Sequence, residues 1–598
     1  TIRGLVLALA VTALSSFVAQ AVPYASGVVK NGDTVTFILN EPAAGITVLR
    51  DGVPLSPAID ASSKGLKTFS LDGASTFAII VSNNVPKAWT QISDNNLTQS
   101  KYYSPKGVTV DTNPKRTTFG QIIVAEGLAG TTGGRTTTDG LYIMSADQGD
   151  IWSQGDIAFS GGVNWVTGGG NSPWKISLNR ADPTGEDYTI YISDWSDSHS
   201  GIWTADALNP SAPFNELLSN DGRDASGLVA GLHGSVSSGP WVEGVGADRK
   251  LYTLDEDYNF GNIWQYDIGT TTSGYATAPS VRVGANGLGL ILNARADIVR
   301  DEDGSWWMTQ YRWTDAATTP ALTRWNDNSR TYTWRSSTLH QAYGSLDINN
   351  RDDLLVIGTT ALGIYVIDIS NPANPVVAAT IPSGSDNITD VAFDAAGNIY
   401  AVNLTTERLR IYSPGGKTVA ITSYDGSALS FYLWPPTVSA TATVASAVEG
   451  GAPGVFTLTR EGELSAPLTV NYTLSGTAVN GVDYTNLTGS VVIPANAATA
   501  QLYVQAVGDA ESEPTETVIL TLTPSDDYRV KGSPVVEIVD TNTPLLTLTI
   551  SPSIYERVAE DYATVTISRN YGNTNEVTFL QDSSVFTFAG TAVKDTDY

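Results

Sequence analysis

The sequence predicts an all-β protein made of several domains. Many short runs alternate apolar and polar residues, and turn residues separate them, with Gly alone at 56 positions. Long helical patterns are absent after the first twenty residues. At 598 residues, with 41% hydrophobic and 16% charged residues, the chain is long enough for more than one core and too apolar to be disordered.

The composition excludes several classes of function. The 61 acidic and 33 basic residues give a formal net charge of −28, which repels phosphate backbones, so we expect no nucleic-acid partner. The absence of Cys excludes disulfides and thiolate metal sites, and it is more typical of bacterial than of animal secreted chains. The three histidines, His199, His233 and His340, are too far apart in sequence to form a zinc-binding pair.

Residues 1–21 have the pattern of a secretory signal peptide. Arg3 supplies the positive start, Leu5 to Leu14 is apolar, and Ala19-Gln20-Ala21 fits the cleavage rule. We therefore expect a secreted, extracellular or cell-surface protein of bacterial origin. No other stretch is long and apolar enough to predict a membrane span within this sequence.

Residues 22–86 predict a small immunoglobulin-like sandwich. Thr34 to Leu39 alternates, and Ile46 to Arg50 leads into the tight-turn dipeptide Asp51-Gly52. Further short strands follow at Lys67 to Leu71 and Phe77 to Val81, a spacing typical of such sandwiches.

Residues 87–433 contain a loose repeat of about six units. Each unit starts with a short apolar strand, continues through an Asp/Gly turn and ends in strands rich in Tyr and Trp. The clearest unit runs from Ile388 to Gly416 and reads ITDVAFDAAGNIYAVNLTTERLRIYSPGG. It resembles a blade of the NHL/WD-like propeller families, and we predict a six- to seven-bladed β-propeller.

Residues 434–541 and 542–598 contain one module and part of a second copy. The first module has five sequence blocks, in this order: Ala447 to Gly450, Val455 to Arg460, Thr469 to Tyr472, Gly476 to Tyr484 and Glu513 to Val518. In this order they resemble the Calx-beta family, an immunoglobulin-like β-sandwich. Thr564 to Arg569 and Gly590 to Tyr598 repeat two of the blocks, so the second copy is truncated at Tyr598 and we expect a longer protein.

The Calx-beta resemblance implies a Ca²⁺ site at one end of the sandwich. The matching metal ligands are Glu449, Asp483, Asp509, Glu513, Glu516 and Asp540. Carboxylates from several loops suit Ca²⁺, which takes six to eight oxygens in irregular cages. Two departures reduce the ligand count: Gly508 precedes Asp509, and Thr541 follows Asp540. Glu556, Asp595 and Asp597 are the corresponding acids of the second copy.

The propeller sequence contains no recognisable catalytic or cofactor-binding motif. Most of its Trp side chains are expected to pack between blades, while five lie where they could instead form a platform for sugar rings: Trp152, Trp165, Trp195, Trp307 and Trp313. The polar run Asp194 to His199 is either a solvated turn or a metal or acid–base site. Asp301 to Gly304 is predicted to be a turn, although some propellers bind Ca²⁺ at such a position.

Three functional hypotheses remain open. The first is a secreted or cell-surface calcium-binding adhesion or recognition protein. Its propeller would bind a polysaccharide or another surface protein, and its Calx-beta repeats would form a stalk. The second is a secreted propeller enzyme, such as a polysaccharide lyase, lactonase or glycosidase, which requires two or more carboxylates, or a His with an Asp, in the central pocket. The third is a structural surface-layer or matrix component. We expect binding rather than catalysis.

Overall fold

A computed structural model describes residues 22–569 with internal gaps. The gaps are 150–154, 166–171, 196–200, 220–235, 237, 255–261, 278, 285–295, 311–319, 328–331, 338, 340–341, 352, 361, 383–386, 463, 465, 510–512, 526, 542–545 and 551–564. The predicted signal peptide and most of the second module copy lie outside the described residues. Strands dominate the described chain, and its helical segments, Thr98–Ser100 and Gly246–Asp248, are single 3₁₀ turns. The predicted all-β fold class is confirmed.

The described chain divides into two compact units. The first unit comprises the chain up to Val438 together with two later segments, Arg460–Ala466 and Pro524–Lys531. The second comprises Ser439–Thr459, Pro467–Thr523 and the chain from Gly532 onwards. In the part that the structure describes, no helix has the length and apolar character required to cross a membrane.

The first unit begins with a small β-sandwich. Its strands are β1 (Ala25–Asn31), β2 (Thr34–Leu39), β3 (Gly45–Arg50), β4 (Val53–Pro54), β5 (Gly65–Ser70) and the first part of β6 (Phe77–Gln91). Alternation along β2 buries Val35, Phe37 and Leu39, each with 0% of its surface exposed. β1, β2 and β5 form one sheet, while β3, β4 and β6 belong to the other.

Six blades of a propeller follow in the first unit, and the sheet of the sixth blade is continuous with that of β3, β4 and β6. Blade 1 consists of β7 (Pro105–Val110), β8 (Ile122–Glu126) and β11 (Gly140–Met144), and the hairpin β9 (Gly130–Thr132) and β10 (Arg135–Thr137) lies between its second and third strands in sequence. Blade 2 consists of β12 (Ile176–Leu178), β13 (Thr189–Asp194), β14 (Gly201–Asp206) and β15 (Asn215–Leu218). Blade 3 consists of β16 (Trp241–Glu243), β17 (Lys250–Leu254), β18 (Asn262–Tyr266) and β19 (Ser280–Gly284). Neighbouring strands within each blade are antiparallel.

Blades 4 to 6 repeat the same antiparallel order. Blade 4 consists of β20 (Ala296–Arg300), β21 (Trp306–Gln310), β22 (Leu322–Trp325) and β23 (Tyr332–Arg335). Blade 5 consists of β24 (Ala342–Ile348), β25 (Leu354–Thr359), β26 (Ile364–Asp368) and β27 (Val376–Ile381). Blade 6 contains β28 (Ile388–Phe393), β29 (Ile399–Asn403) and β30 (Arg408–Tyr424). The innermost strands β7, β12, β16, β20, β24 and β28 contact one another in a closed ring. Among the described residues the propeller therefore has six blades, the lower of the two predicted numbers.

The long strands β6 and β30 join the small sandwich to the propeller. At one end of the pair, Gln91 and Thr90 lie opposite Tyr412 and Ser413, so residues from before blade 1 supply the outer strand of blade 6. At the other end, the Lys417–Tyr424 part of β30 pairs with Phe77–Asn84, and β31 (Leu429–Trp434) pairs with β30. This differs from the predicted boundaries at 86 and 433, because residues 417–434 complete the sheet of the small sandwich.

The second unit contains a further β-sandwich. The strands of this part of the chain are β32 (Thr437–Val444), β33 (Ser446–Val448), β34 (Gly454–Arg460), β35 (Leu468–Gly476), β36 (Ser490–Ile493), β37 (Thr499–Val504), β38 (Glu516–Leu522), β39 (Arg529–Lys531) and β40 (Val535–Val539). One sheet has the order β33-β40-β38-β35-β36, and β37, β34 and β32 are neighbours in the other. β41 (Leu546–Ile550) and β42 (Val565–Arg569) then form an antiparallel pair.

Candidate metal centre

The sandwich topology brings the six predicted ligands to one end of the second unit. β33 and β40 are parallel and end together, which places Glu449 and Asp540 directly after them. β38 runs antiparallel to β40, so its first residue, Glu516, starts at that same end. The remaining ligands lie in the loops that meet there, with Asp483 between β35 and β36, and Asp509 and Glu513 between β37 and β38.

Three of these carboxylates form a tight group. One carboxylate oxygen from each of Asp483, Glu513 and Glu516 lies within 4.8 Å of the other two. All three side chains are partly exposed. Carboxylate oxygens this close together repel one another, so a cation placed among them gains a favourable electrostatic interaction with every ligand.

Backbone hydrogen bonds fix the loops that carry these groups. The Val479 amide donates to Asp483 Oδ2 at 2.6 Å, and the Val507 amide donates to the carbonyl oxygen of Asp483 at 2.9 Å. The Glu513 amide donates to Asp540 Oδ2 at 2.7 Å. The acids are therefore connected through the backbones of the loops as well as by proximity.

Glu449 is the buried member of the cluster. Its side chain is 8% exposed, and its buried Oε2 atom has no hydrogen-bond partner among the described residues. Burial, followed by the negative charges of Asp540, Asp509, Glu513 and Glu516, raises the pKa of Glu449 to about 7. A buried carboxylate oxygen without a donor is costly, and a cation among these ligands would offset that cost.

Glu516 is affected in the same direction. Burial raises its pKa, and the nearby charges of Asp483 and Glu513 add to the rise. The acids thus repel one another across the whole cluster, from Glu449 to Asp483. This set of oxygen ligands fits Ca²⁺, which accepts carboxylates from several loops in an irregular cage.

Gly508, one of the two departures from the family pattern, lies where two loops touch. A Cβ atom at this position would lie 3.1 Å from the Gly450 amide nitrogen and 3.2 Å from its Cα. An aspartate at 508 would therefore press against the loop that carries Glu449. The second departure, Thr541, is exposed directly after Asp540. The second-copy acids Glu556, Asp595 and Asp597 lie outside the described residues.

The propeller does not support the predicted aromatic platform at two of its five positions. Trp165 and Trp307 are 1% and 0% exposed, and they pack against Trp203 and Trp334 respectively. Both faces of a blade are covered by its neighbours, so their burial follows from blade stacking. Trp195 is half-buried against Trp174, with ring centroids 4.7 Å apart, and Trp152 and Trp313 lie outside the described residues.

The structure describes the polar run Asp301 to Gly304 of the propeller in full, but only Asp194 and Trp195 of the run Asp194 to His199. The Ser305 amide and the Trp307 indole donate to Asp301 at 3.0 Å each, and the Arg324 guanidinium also bonds to it, which agrees with the predicted turn. Asp194 is buried and accepts a hydrogen bond from Ser172. The rest of that run, including His199, lies outside the described residues.

Sequence reasoning missed the charged groups of the propeller channel. Lys175, Arg180, Asp297, Asp347 and Asp390 line it, and none was a candidate. The available signal was an Asp within or beside an otherwise apolar inner strand, as in Ala296-Asp297-Ile298 and Leu346-Asp347-Ile348. Such an Asp is expected to be buried, and a buried carboxylate requires donors.

No protein-family model matches the chain, and no curated protein matches it. Among solved structures, the Calx CBD1 domain in its apo form is 20% identical over 18% of this chain and 98% of its own, with a TM-score of 0.16. The CBD12 structure from CALX1.2 is also 20% identical with a TM-score of 0.16, and the match covers 17% of this chain and 44% of that chain. The WD40 repeats of RRP9 are 10% identical over 55% of this chain and 97% of theirs, with a TM-score of 0.29.

Proposed function

We propose that the second unit is a calcium-binding module. The observation that carries this proposal is the buried, unpartnered Oε2 atom of Glu449 within a cluster of six acidic residues. Ca²⁺ would be held by Glu449, Asp483, Asp509, Glu513, Glu516 and Asp540. The ligands are all hard oxygens, which favour Ca²⁺ over zinc or copper, and their irregular spacing over several loops suits Ca²⁺ better than the strict octahedron of Mg²⁺.

We further propose that the whole protein is a secreted or cell-surface adhesion or recognition protein. In this proposal the propeller binds a polysaccharide or another surface protein, and the repeated sandwich modules form a stalk stiffened by Ca²⁺. The predicted signal peptide and the repeated module support the proposal. A glycan array probed with the full chain tests the propeller, and binding that disappears when blade-rim residues are changed would support recognition. Self-assembly without glycan binding would favour a matrix component.

The channel contains the carboxylates that the enzyme hypothesis requires, but each of the described ones is already engaged in hydrogen bonds and an ion pair. The described carboxylates of the channel, Asp297, Asp347 and Asp390, accept hydrogen bonds from backbone amides and from Lys175 or Arg180. Groups held in this way are poor candidates for proton transfer, since a general acid or base must reach its substrate. The channel carboxylates therefore do not support the enzyme hypothesis.

The calcium proposal predicts that Asp483→Ala combined with Glu516→Ala abolishes Ca²⁺ binding by the second unit. Isothermal titration calorimetry on the full chain measures binding, and thermal unfolding with and without millimolar Ca²⁺ measures stabilisation. We expect Ca²⁺ to raise the midpoint of the module's transition in the wild type, because a ligand that binds only the folded state stabilises it. The double variant should show no such rise.

The matched control is Asp527→Ala combined with Glu537→Ala. Glu537 is exposed on β40 of the second unit, and Asp527 is exposed in the Pro524–Lys531 segment of the first unit. Neither is among the six ligands, so the control also loses two negative charges. It should retain the wild-type response to Ca²⁺. A wild type that shows neither heat of binding nor a shift at millimolar Ca²⁺ would exclude the metal site.

A further inference from the structure

The channel of the six-bladed propeller contains a second set of buried charges, separate from the proposed calcium site. Three aspartates lie on the inner strands of consecutive blades: Asp297 on β20, Asp347 on β24 and Asp390 on β28. Their exposed fractions are 4%, 9% and 4%. Ionised carboxylates this deeply buried need both hydrogen-bond donors and opposite charge.

Each aspartate binds a backbone amide of the next blade. The Leu346 amide donates to Asp297 Oδ2 at 3.2 Å, and the Phe393 amide donates to Asp347 Oδ2 at 2.7 Å. The Val108 amide donates to Asp390 Oδ2 at 2.9 Å, which crosses from the last blade to the first. These bonds connect blades 4, 5, 6 and 1 in order around the channel.

Asp297 also reaches backwards to blade 3. Its Oδ1 atom accepts hydrogen bonds from the Gly239 amide at 2.8 Å and from the Ile298 amide at 3.0 Å. Gly239 precedes the inner strand of blade 3. One carboxylate therefore links three consecutive blades, and only blade 2 has no part in these amide contacts.

Blade 2 supplies the positive charges. Lys175, 1% exposed, lies just before β12, and its Nζ atom is 2.8 Å from Asp297 Oδ2 and 2.6 Å from Asp390 Oδ1. Arg180, just after β12, donates to Asp347 Oδ1 at 2.7 Å and to the Ile348 carbonyl at 2.9 Å. These five groups are the charged residues that line the described channel, and the cavity beside them has a volume of about 60 Å³. A space of that size admits a few water molecules and no larger ligand.

We propose that Lys175 is an electrostatic lock that holds the propeller ring closed by joining blade 2 to blades 4 and 6 across the channel. A propeller has no covalent ring, so its closure depends on contacts between blades. Lys175 contacts two carboxylates that are themselves bonded to the neighbouring blades, and its loss affects several blade boundaries at once.

The network is more important for closure than for net stability. A buried ion pair gains little over a well-packed apolar core, whereas removing one partner leaves an uncompensated buried charge. Burial raises the pKa of Asp390, and the ammonium group of Lys175 opposes that rise. Without Lys175, folding at pH 8.0 would bury the Asp390 carboxylate without its cation, or it would require that group to take up a proton.

The test is Lys175→Met in the full chain, with thermal unfolding of the first unit followed at pH 8.0 and pH 5.5. We expect the variant to lose roughly 5 °C or more in its midpoint at pH 8.0 and to recover most of that loss at pH 5.5, where a proton can replace the ammonium charge. The control is Lys87→Met, which removes an exposed lysine and should match the wild type at both pH values.

A second variant, Lys175→Met with Asp390→Asn, covers the case in which the single variant does not fold. The carbonyl oxygen of the introduced side-chain amide can still accept from Val108, while its NH₂ group faces the position of the lost ammonium. Recovery of the pH 8.0 midpoint, or of soluble protein, supports the lock. The proposal is overturned if Lys175→Met behaves like the control. It is also overturned if the losses at pH 8.0 and pH 5.5 are equal and the second substitution does not relieve them.

Discussion

Among single residues, Glu449 best separates calcium binding from an ordinary acidic surface. Its carboxylate is buried, lacks a partner for Oε2 and is repelled by four nearby acids. Exposed acids at strand ends do not share these features, since water solvates them at little cost. The same residue therefore destabilises the metal-free module and would stabilise the metal-bound one.

We predict that Glu449→Gln has opposite effects with and without Ca²⁺. In EDTA the variant should unfold at a temperature roughly 2–4 °C higher than the wild type, because a neutral amide removes one buried charge and can donate to the remaining carboxylates. In millimolar Ca²⁺ the order should reverse, with affinity reduced at least about tenfold by the loss of a charged ligand. Calorimetry and thermal unfolding measure both effects.

The control for this prediction is Glu537→Gln. Glu537 is exposed on β40 and is not one of the ligands, so its neutralisation should leave the midpoint nearly unchanged in both buffers. If Glu449→Gln lowers the midpoint in EDTA as well as in Ca²⁺, Glu449 is a structural acid that the fold requires in its charged form.

Among the elements, the paired strands β6 and β30 connect two parts of the first unit, the small sandwich and blade 6. They extend from the small sandwich into blade 6, and the pairing shifts register around Gly415 and Gly416. Gly415 has a φ of +60°, and a Cβ atom there would lie 2.4 Å from the carbonyl oxygen of Pro86. The bulge thus requires close contact between the two backbones at the point where the strand pair leaves the sandwich.

We predict that Gly415→Ala destabilises the first unit more than Gly416→Ala. Both glycines have positive φ, and Gly416, at +96°, is at least as unfavourable for alanine, but no atom lies within 4 Å of a Cβ placed there. The clash with Pro86 should therefore lower the Gly415→Ala midpoint by roughly a further 3 °C or more in thermal unfolding. Equal midpoints for the two variants would show that the bulge is not tightly held.

For the whole molecule, buried acids determine how stability depends on pH. Burial raises the pKa of Glu126 to about 8 and that of Asp394 to about 7, and both side chains are 0% exposed. A carboxyl with a raised folded pKa contributes stability that is complete below its unfolded pKa and is lost as pH rises through the folded value. The net charge of −28 acts in the same direction, because self-repulsion grows as acids ionise.

We predict that the metal-free protein becomes less stable as pH rises from 6.0 to 8.5. The free energy of unfolding of the first unit, measured by urea denaturation in EDTA, should fall by roughly 4 kcal/mol over this range, with about two thirds of the fall due to Glu126. Glu126→Gln should reduce the slope between pH 6 and 8, since over that range the folded state keeps a proton on Glu126 that the unfolded chain has lost. A free energy that stays constant or increases over this range would show that Glu126 and Asp394 are ionised in the fold at much lower pH.

Much of this architecture can be predicted from local patterns. Alternation along short runs predicts the strands of the small sandwich, and the turns after inner strands identify the blades. The resemblance to the Calx-beta family implies six acidic residues that the structure brings to one end of a sandwich, because acids placed directly at strand ends collect where the strands end together. Their role as calcium ligands stays a prediction until binding is measured.

Contacts between distant segments are less accessible from the sequence. Alternation does not show which Trp faces are free when neighbouring blades cover both sides of a blade, and this explains why Trp165 and Trp307, two candidates for the alternative sugar platform, are buried. The predicted end of the propeller at 433 differs from the structure for a related reason, since β30 pairs with a strand more than 300 residues earlier.

By itself, the sequence determined that this is an all-β chain with repeated units, because these features depend on residue type and short-range periodicity, while the acidic cluster was implied by the resemblance to the Calx-beta family. Only the tertiary structure decided the blade number, the strand shared by sandwich and propeller, and the contact of Lys175 with Asp390 across 215 residues. The physical reason is that ring closure and burial depend on which segments meet in space. Local periodicity carries no information about that choice.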